Sequence, residues 1–567
     1  MFSRLNISFV SKHSQILAWL LVLTLFIIFS FRILAEIREK SVTTDESVHL
    51  PSGYYYLKTG DFDLFRIHPP FIQMLCATPL LWKNIQFRNN SNWQLINNWV
   101  FGYDFMLSNA REYQEIFGIS RLVILGLSIL LGLMIYGWAK ELFGQMAALF
   151  ALFLFTFNPD ILAHSGLVTL DIGVSLFIFA TFYFLWKFAK SGENIYCILS
   201  GTTLGMAIAG KYSALLAIPA ILFISLFIVT SRVKLTKDLS IKKYLISLIV
   251  LFTMALLIIN ATYFFKATFS PLGKFQFQSG ALKPFNSKFL SSLPAPVPFD
   301  FLKGFDEQLS IQGGNFYSYL CGNVSDSSWW YYYIAAFSLK EPLAWIVLLL
   351  IALTVNLIYR RLNYDLILFV LFPPVLFLII ISSMSVNIGI RYMLPIFPFL
   401  FLFSSSIMDG GLLKKIASPR LIQLPVVICS LWYFFVSAMI HPHYLAYFNE
   451  IAGGPGKGYK FLADSNIDWG QDLIGLKEYL SHHHIDKIYL AYFGGVDPRL
   501  YGINFDLLPD KPVKGYCAIS VNYLAGIPYP LYKDMKLHFV PAYSYRWLSD
   551  LQPIDKIGYS IYIYKIE

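Results

Sequence analysis

A chain of 567 residues that is 56% hydrophobic and only 14% charged falls well below the roughly 25% charge of a soluble domain. Its apolar residues lie in long blocks, which excludes a soluble globular enzyme. The net charge of +10 is spread in short basic runs between those blocks, a pattern of membrane topology and not of a nucleic-acid surface. The five cysteines, Cys76, Cys197, Cys321, Cys429 and Cys517, show neither metal-ligand nor redox spacing. Cys321 and Cys517 could share an oxidising compartment, but nothing in the sequence pairs them.

Crossing the hydrocarbon core takes about 20 apolar residues, and by that measure about eleven blocks are predicted to span a bilayer. The first, Gln15 to Leu34, is too long for a signal-peptide core and reads as an uncleaved anchor. The rest follow at Ile119 to Ala139, Met146 to Phe157, Ile172 to Phe188, Tyr196 to Ala209, Tyr212 to Val229, Tyr244 to Phe265, Pro342 to Ile358, Leu366 to Met384, Met393 to Met408 and Leu421 to Ile440.

Lysine and arginine accumulate in short cytoplasmic loops. With the N-terminus cytoplasmic, the runs Lys187/Lys190, Arg232/Lys234/Lys237/Lys242/Lys243, Arg360/Arg361 and Lys414/Lys415/Arg420 all fall inside. The expected architecture is therefore a polytopic α-helical membrane domain over 1–440, with a first outer loop at 35–118 and a second large outer loop at 266–332. An extracytoplasmic α/β domain over 441–567 follows, predicted from polar turns, a helix over Gln471 to Tyr479 and alternating apolar runs such as Ile488 to Phe493.

Chemistry-bearing residues gather on the outer side. Asp45 and Glu46 follow the first crossing, as solvated acids, helix caps or catalytic carboxylates. His68-Pro69-Pro70 precedes the apolar stretch Phe71 to Trp82, so the prolines suit a first helical turn and place His68 at an electropositive N-terminus where phosphate is a natural ligand. Asp171 opens the fourth crossing after Asp160 and His164, at a depth where an ionisable group usually faces a polar cavity or caps a helix. Lys211 and Arg391 run against the positive-inside trend and suit an anionic head group, or snorkel to the interface. Transfer of a sugar from a lipid phosphate to a hydroxyl needs a base for the acceptor proton and donors for the departing phosphate. Asp45 suits the first role, and His68, Arg391 and Lys211 the second. Asp464, Asp468 and Asp472 could line an acceptor groove, although Asp468 suits a helix cap better. The aromatics from Trp329 to Tyr333 read mostly as an interfacial belt.

In this order, Asp45-Glu46, His68-Pro69-Pro70, Asp171, Gly201 to Tyr212, Leu293 to Pro298, Gly322 to Tyr332, Asn387 to Pro395 and Tyr447 to Asp472 resemble the GT-C glycosyltransferases of the protein O-mannosyltransferase and aminoarabinose-transferase kind, in particular their phospholipid-carrier-dependent bacterial branch. The resemblance implies a GT-C fold in the cell membrane. It also implies inverting transfer from a polyprenyl-phosphate sugar donor to a lipid, glycan or protein acceptor, with Asp45 as general base, Glu46 beside it and Asp171 as the second acid. Relatives often carry an arginine shortly before that second acid, where Gly166 and Leu167 stand here, so Arg391 is the candidate substitute. Some members bind a divalent metal, for which this sequence offers no ligand set. The competing readings are a transporter or flippase for lipid-linked sugars, which would be expected to show internal duplication, and a polymerase or ligase for lipid-linked oligosaccharide.

Overall fold

The computed structural model describes residues 2–86, 98–230, 240–314, 317–413, 420–533 and 536–567. Arg232, Lys234, Lys237, Lys414 and Lys415, which carry part of the topology expectation, lie outside them. Six described helices are long and apolar enough to cross a membrane: Gln15–Glu39, Tyr113–Phe143, Asp171–Ser191, Tyr212–Thr230, Ile241–Thr262 and Ile422–Met439. Two bent pairs raise that number to eight if each is one span, and four shorter apolar helices cover Phe71–Trp82, Asn194–Gly210, Leu366–Ser382 and Phe397–Leu412. Every block predicted from the sequence is thus helical, but several are too short or too bent to meet the same test.

Proline explains both bends. It has no N–H to donate and fixes the first turn of whatever helix follows. Gln145–Phe157 and Pro159–Ser165 meet at 65°, and the new helix starts where the Asn158 side chain accepts from the Ile161 N–H at 2.9 Å. Such an N-cap contributes about 1 kcal/mol. Tyr332–Lys340 and Leu343–Ile358 meet at 112° around Pro342. Lys340, buried at this corner, donates to the carbonyls of Leu445 and Asn466 at 2.8 and 2.6 Å.

After the first long apolar helix comes the helix Glu46–Thr59, which packs on Phe71–Ala77. A glycine is required at the crossing, because a Cβ on Gly53 would stand 2.1 Å from the Gln73 carbonyl oxygen. Beyond residue 440 lies a five-stranded sheet in the order Phe505–Leu507, Ile488–Ala491, Gly515–Ser520, Ile561–Ile566, Asp555–Ile557. The first three strands are parallel and the last two pair antiparallel, with Ala518 opposite Ile563. The alternating apolar runs form the central strands, whose residues are largely buried.

Main-chain bonds join this region to the segment that follows the helix Gln15–Glu39. Ser41 N–H donates to the Gln471 carbonyl and Thr44 N–H to the Trp469 carbonyl, both at 2.9 Å. Lys40 adds a buried ion pair to Asp472 at 2.6 Å. All five cysteines are free; Cys321 is exposed and Cys517 buried.

Candidate functional site

Asp45 sits at the N-terminal boundary of the Glu46–Thr59 helix, where its carbonyl accepts from the His49 N–H at 3.0 Å. One turn separates the two residues, so the Asp45 and His49 side chains lie on one face. The Asp45 carboxylate receives Arg391 Nη1 on Oδ2 at 2.6 Å and Trp469 Nε1 on Oδ1 at 3.3 Å. The Arg391 guanidinium in turn lies 4.3 Å from the centre of the Trp469 ring. Burial alone would raise the Asp45 carboxyl, but the charge of Arg391 and its hydrogen bond outweigh that and hold the group below its ordinary value. Burial disfavours the charged form of Arg391, and Asp45 reverses that and raises its pKa.

A cavity of about 430 Å³ opens beside Asp45, lined also by His49, Asp63, Arg66, His68 and Glu307. The His49 and His68 rings stand 5.3 Å apart. Burial pushes both imidazoles down, His49 to about 4 and His68 well below its ordinary value. Both are neutral at pH 7, so they offer hydrogen bonds and not charge. Gln73 Nε2 lies 3.0 Å from His49 Nδ1. His68 does precede the Phe71–Ala77 helix as expected, with Pro70 at the N-cap and not inside the first turn.

Asp171 pairs with Lys211 at 2.7 Å. Lys211 Nζ lies 4.6 Å from the centre of the Tyr392 ring, and the Arg391 guanidinium 5.6 Å from it. One aromatic side chain therefore contacts both cations, and Asp171, Lys211, Arg391 and Tyr392 line a common recess. Of the residues singled out from the sequence, Asp45, His68, Asp171, Lys211 and Arg391 converge here.

Glu46 does not join them. It is fully buried, pairs with Arg121 at 2.6 Å, and accepts from the Thr43 and Val168 N–H groups at 2.9 and 2.8 Å. Its neighbour on a helix points about 100° away, so two adjacent carboxylates serve two different surroundings. Asp468 caps no helix: that helix spans Leu473–His482 with Asp472 at the N-cap, whereas Asp468 Oδ1 accepts from the Gly470 N–H at 3.0 Å. Nor do the three tail acids face a groove, since Asp468 and Asp472 are buried and Asp464 accepts from the Tyr529 hydroxyl. Of the aromatic run, Trp330 and Tyr331 are exposed as a belt requires, but Tyr332 and Tyr333 are core residues.

Sequence reasoning passed over His49 and Trp469. The first carried a usable signal, its spacing of four from Asp45. The second carried none, because its contact with Asp45 spans 424 residues. The close approach of the Arg391 segment to the tail depends on Gly389, where a Cβ would stand 2.4 Å from Ser465 Oγ.

Among the described residues no group of three or more His, Cys, Asp or Glu side chains could hold a metal ion. Asp45 and Asp171 are each already engaged by a cation, so these residues do not fit a divalent metal.

A search of curated proteins returns no match. Among solved structures, the chain is similar to ArnT from Cupriavidus metallidurans bound to undecaprenyl phosphate, at 12% identity over 96% of this chain and 97% of that one, TM-score 0.47. It is also similar to the oligosaccharyltransferase AglB from Archaeoglobus fulgidus in complex with an inhibitory peptide and a dolichol-phosphate, at 12% identity over 94% and 75%, TM-score 0.44. The S. cerevisiae Pmt1-Pmt2 protein O-mannosyltransferase complex bound to the sugar donor matches at 19% identity over 43% and 32%, TM-score 0.30. The family model for dolichyl-phosphate-mannose-protein mannosyltransferase matches residues 110–259, so the resemblance read from the residues recurs in the membrane segment that carries Asp171 and Lys211.

Proposed function

We propose that this chain is a membrane glycosyltransferase of the GT-C type, which moves a sugar from a polyprenyl-phosphate donor to a hydroxyl on a lipid, glycan or protein acceptor at the outer face of the cell membrane. The observation that carries the reading is the Asp45–Arg391 pair at the edge of the cavity that holds His49 and His68. A carboxylate and a guanidinium in one place supply the two things the transfer needs, a proton acceptor and a phosphate partner.

In this reading Asp45 takes the acceptor hydroxyl proton as the acceptor oxygen attacks the anomeric carbon. The anomeric carbon–phosphate oxygen bond breaks on the opposite face and inverts the configuration. The negative charge that gathers on the leaving polyprenyl phosphate is met by Arg391 and Lys211, with His68 as a neutral donor. Arg391 shares itself between Asp45 and the phosphate, so donor binding loosens its hold on the carboxylate and returns basicity to Asp45 when a substrate is present. Asp171 keeps Lys211 in place. The 441–567 region is read as extracytoplasmic, beside the acceptor.

The test is transfer from radiolabelled polyprenyl-phosphate sugars by purified protein in detergent, with a membrane extract as acceptor source. Asp45→Asn, made to the same level, is expected to lower transfer by about a hundredfold or more, the loss that follows removal of a general base. Equal transfer by both proteins removes Asp45 from the mechanism.

A further inference from the structure

Away from Asp45 and Arg391, the tail region holds a cleft of about 810 Å³. Its lining is chemically one-sided: six tyrosines, three lysines and one arginine, and no carboxylate. The cations Lys457, Lys460, Arg546 and Lys556 form no ion pair among the described residues, so their charge is available to a ligand.

The cleft is built and not merely a gap between loops. The Tyr562 hydroxyl donates to the Gly456 carbonyl at 3.0 Å and the Tyr319 hydroxyl to the Lys460 carbonyl at 3.1 Å, which fixes the turn bearing Lys457 and Lys460 against the sheet. Arg546 lies 4.9 Å from the centre of the Tyr543 ring, and Lys556 lies 4.7 Å from that of Tyr562. Aromatic faces backed by cations suit a ring with apolar C–H faces and an anionic substituent. A peptide added to the sheet edge is poorly served, because the adjoining edge strand Asp555–Ile557 has three residues.

We infer that this cleft binds an anionic saccharide, a sugar bearing phosphate or carboxylate. The inference stands independently of the transfer reading. The cleft also has a physical route to Arg391: Tyr319 and Ala525 pack with Ala463, and the next residues, Ser465 and Asn466, bond the Ile388 carbonyl at 2.8 Å and the Ile390 N–H at 2.9 Å.

The experiment is calorimetric titration of the full chain in zwitterionic nanodiscs with trigalacturonic acid and with trehalose 6-phosphate. Methyl-esterified trigalacturonate and trehalose serve as uncharged counterparts, inorganic phosphate and phosphatidylglycerol vesicles as further arms. At least one charged saccharide is expected to bind saturably, at least tenfold tighter than its uncharged counterpart and than phosphate. The double variant K460Q/R546Q, both at exposed positions, is expected to weaken that binding at least tenfold at an unchanged Tm. Equal binding of the uncharged counterpart, no effect of the double variant at unchanged Tm, or no saturable saccharide binding overturns the inference. Capture by the vesicles alone, lost in the double variant, overturns it in favour of a lipid head group.

Discussion

The Asp45 carboxylate and the Arg391 guanidinium, 346 residues apart in the chain, meet at 2.6 Å. This pair makes the proposed base and the proposed phosphate ligand one electrostatic unit. Arg391→Gln removes the charge that holds the Asp45 carboxyl down and leaves burial, which raises it. The acid limb of the transfer pH profile is therefore expected to move to higher pH in this variant, and kcat/KM for the donor to fall at every pH. A pH–rate profile of the variant beside wild type checks both.

Glu46 and Asp45 are expected to respond differently to the same chemical change. Glu46→Gln leaves Arg121 buried without its counter-charge, a loss of about 3–5 kcal/mol for a broken buried pair, so Tm in detergent drops markedly. Asp45→Asn removes a charge that is 23% exposed and leaves Arg391 at a site that is 10% exposed, so it is expected to lower Tm less than Glu46→Gln does while it cuts transfer about a hundredfold or more. Thermal unfolding of the two variants in parallel separates the structural carboxylate from the one proposed as base.

Trp469 touches the pair from the tail. Trp469→Phe keeps a ring beside Arg391 but removes the N–H given to Asp45, a hydrogen bond to a charged group worth about 1.5–3 kcal/mol. Transfer is expected to fall about tenfold to a hundredfold, while Trp469→Ala, which also removes the cation–π contact, falls further. Steady-state kinetics of both variants at matched donor concentration decides this.

The histidines give a stability signal. His49 titrates at about 4 in the folded chain and near 6.5 when unfolded. The unfolded state thus binds more protons between those values, and stability rises with pH across that window. The contribution is fully present above pH 6.5 and is lost as pH falls towards 4. His49→Gln is expected to flatten this part of a Tm-against-pH curve.

These variants also mark what the sequence could tell. Asp45, His68, Asp171, Lys211 and Arg391 stood out because charge near apolar blocks is costly and each opposed a bland expectation. Their pairing did not, since a linear pattern holds no information on which of two cations meets which of two acids. Glu46 and Asp45 are indistinguishable as neighbours in sequence; only the helical turn and the position of Arg121 tell them apart. The long apolar blocks gave the membrane helices, whereas the bends at Pro159 and Pro342 made length alone a poor counter of crossings. The tail helix starts two residues later and ends three later than expected, since Asp468 bonds locally to Gly470 and Asp472 takes the N-cap position.

The bonds from Ser41 and Thr44 to Gln471 and Trp469 close the chain on itself. Everything between residues 45 and 468 is a loop whose two ends are clasped beside Asp45, so the site is a seam and not a pocket within one segment. A chain emerging from a ribosome cannot complete that seam until residues 469 to 471 have been made, and a copy truncated after Met439 lacks both Trp469 and the carbonyls that accept from the Ser41 and Thr44 N–H groups. Under the proposed reading, transfer waits until the segment around residue 470 has come back to the segment around residue 45.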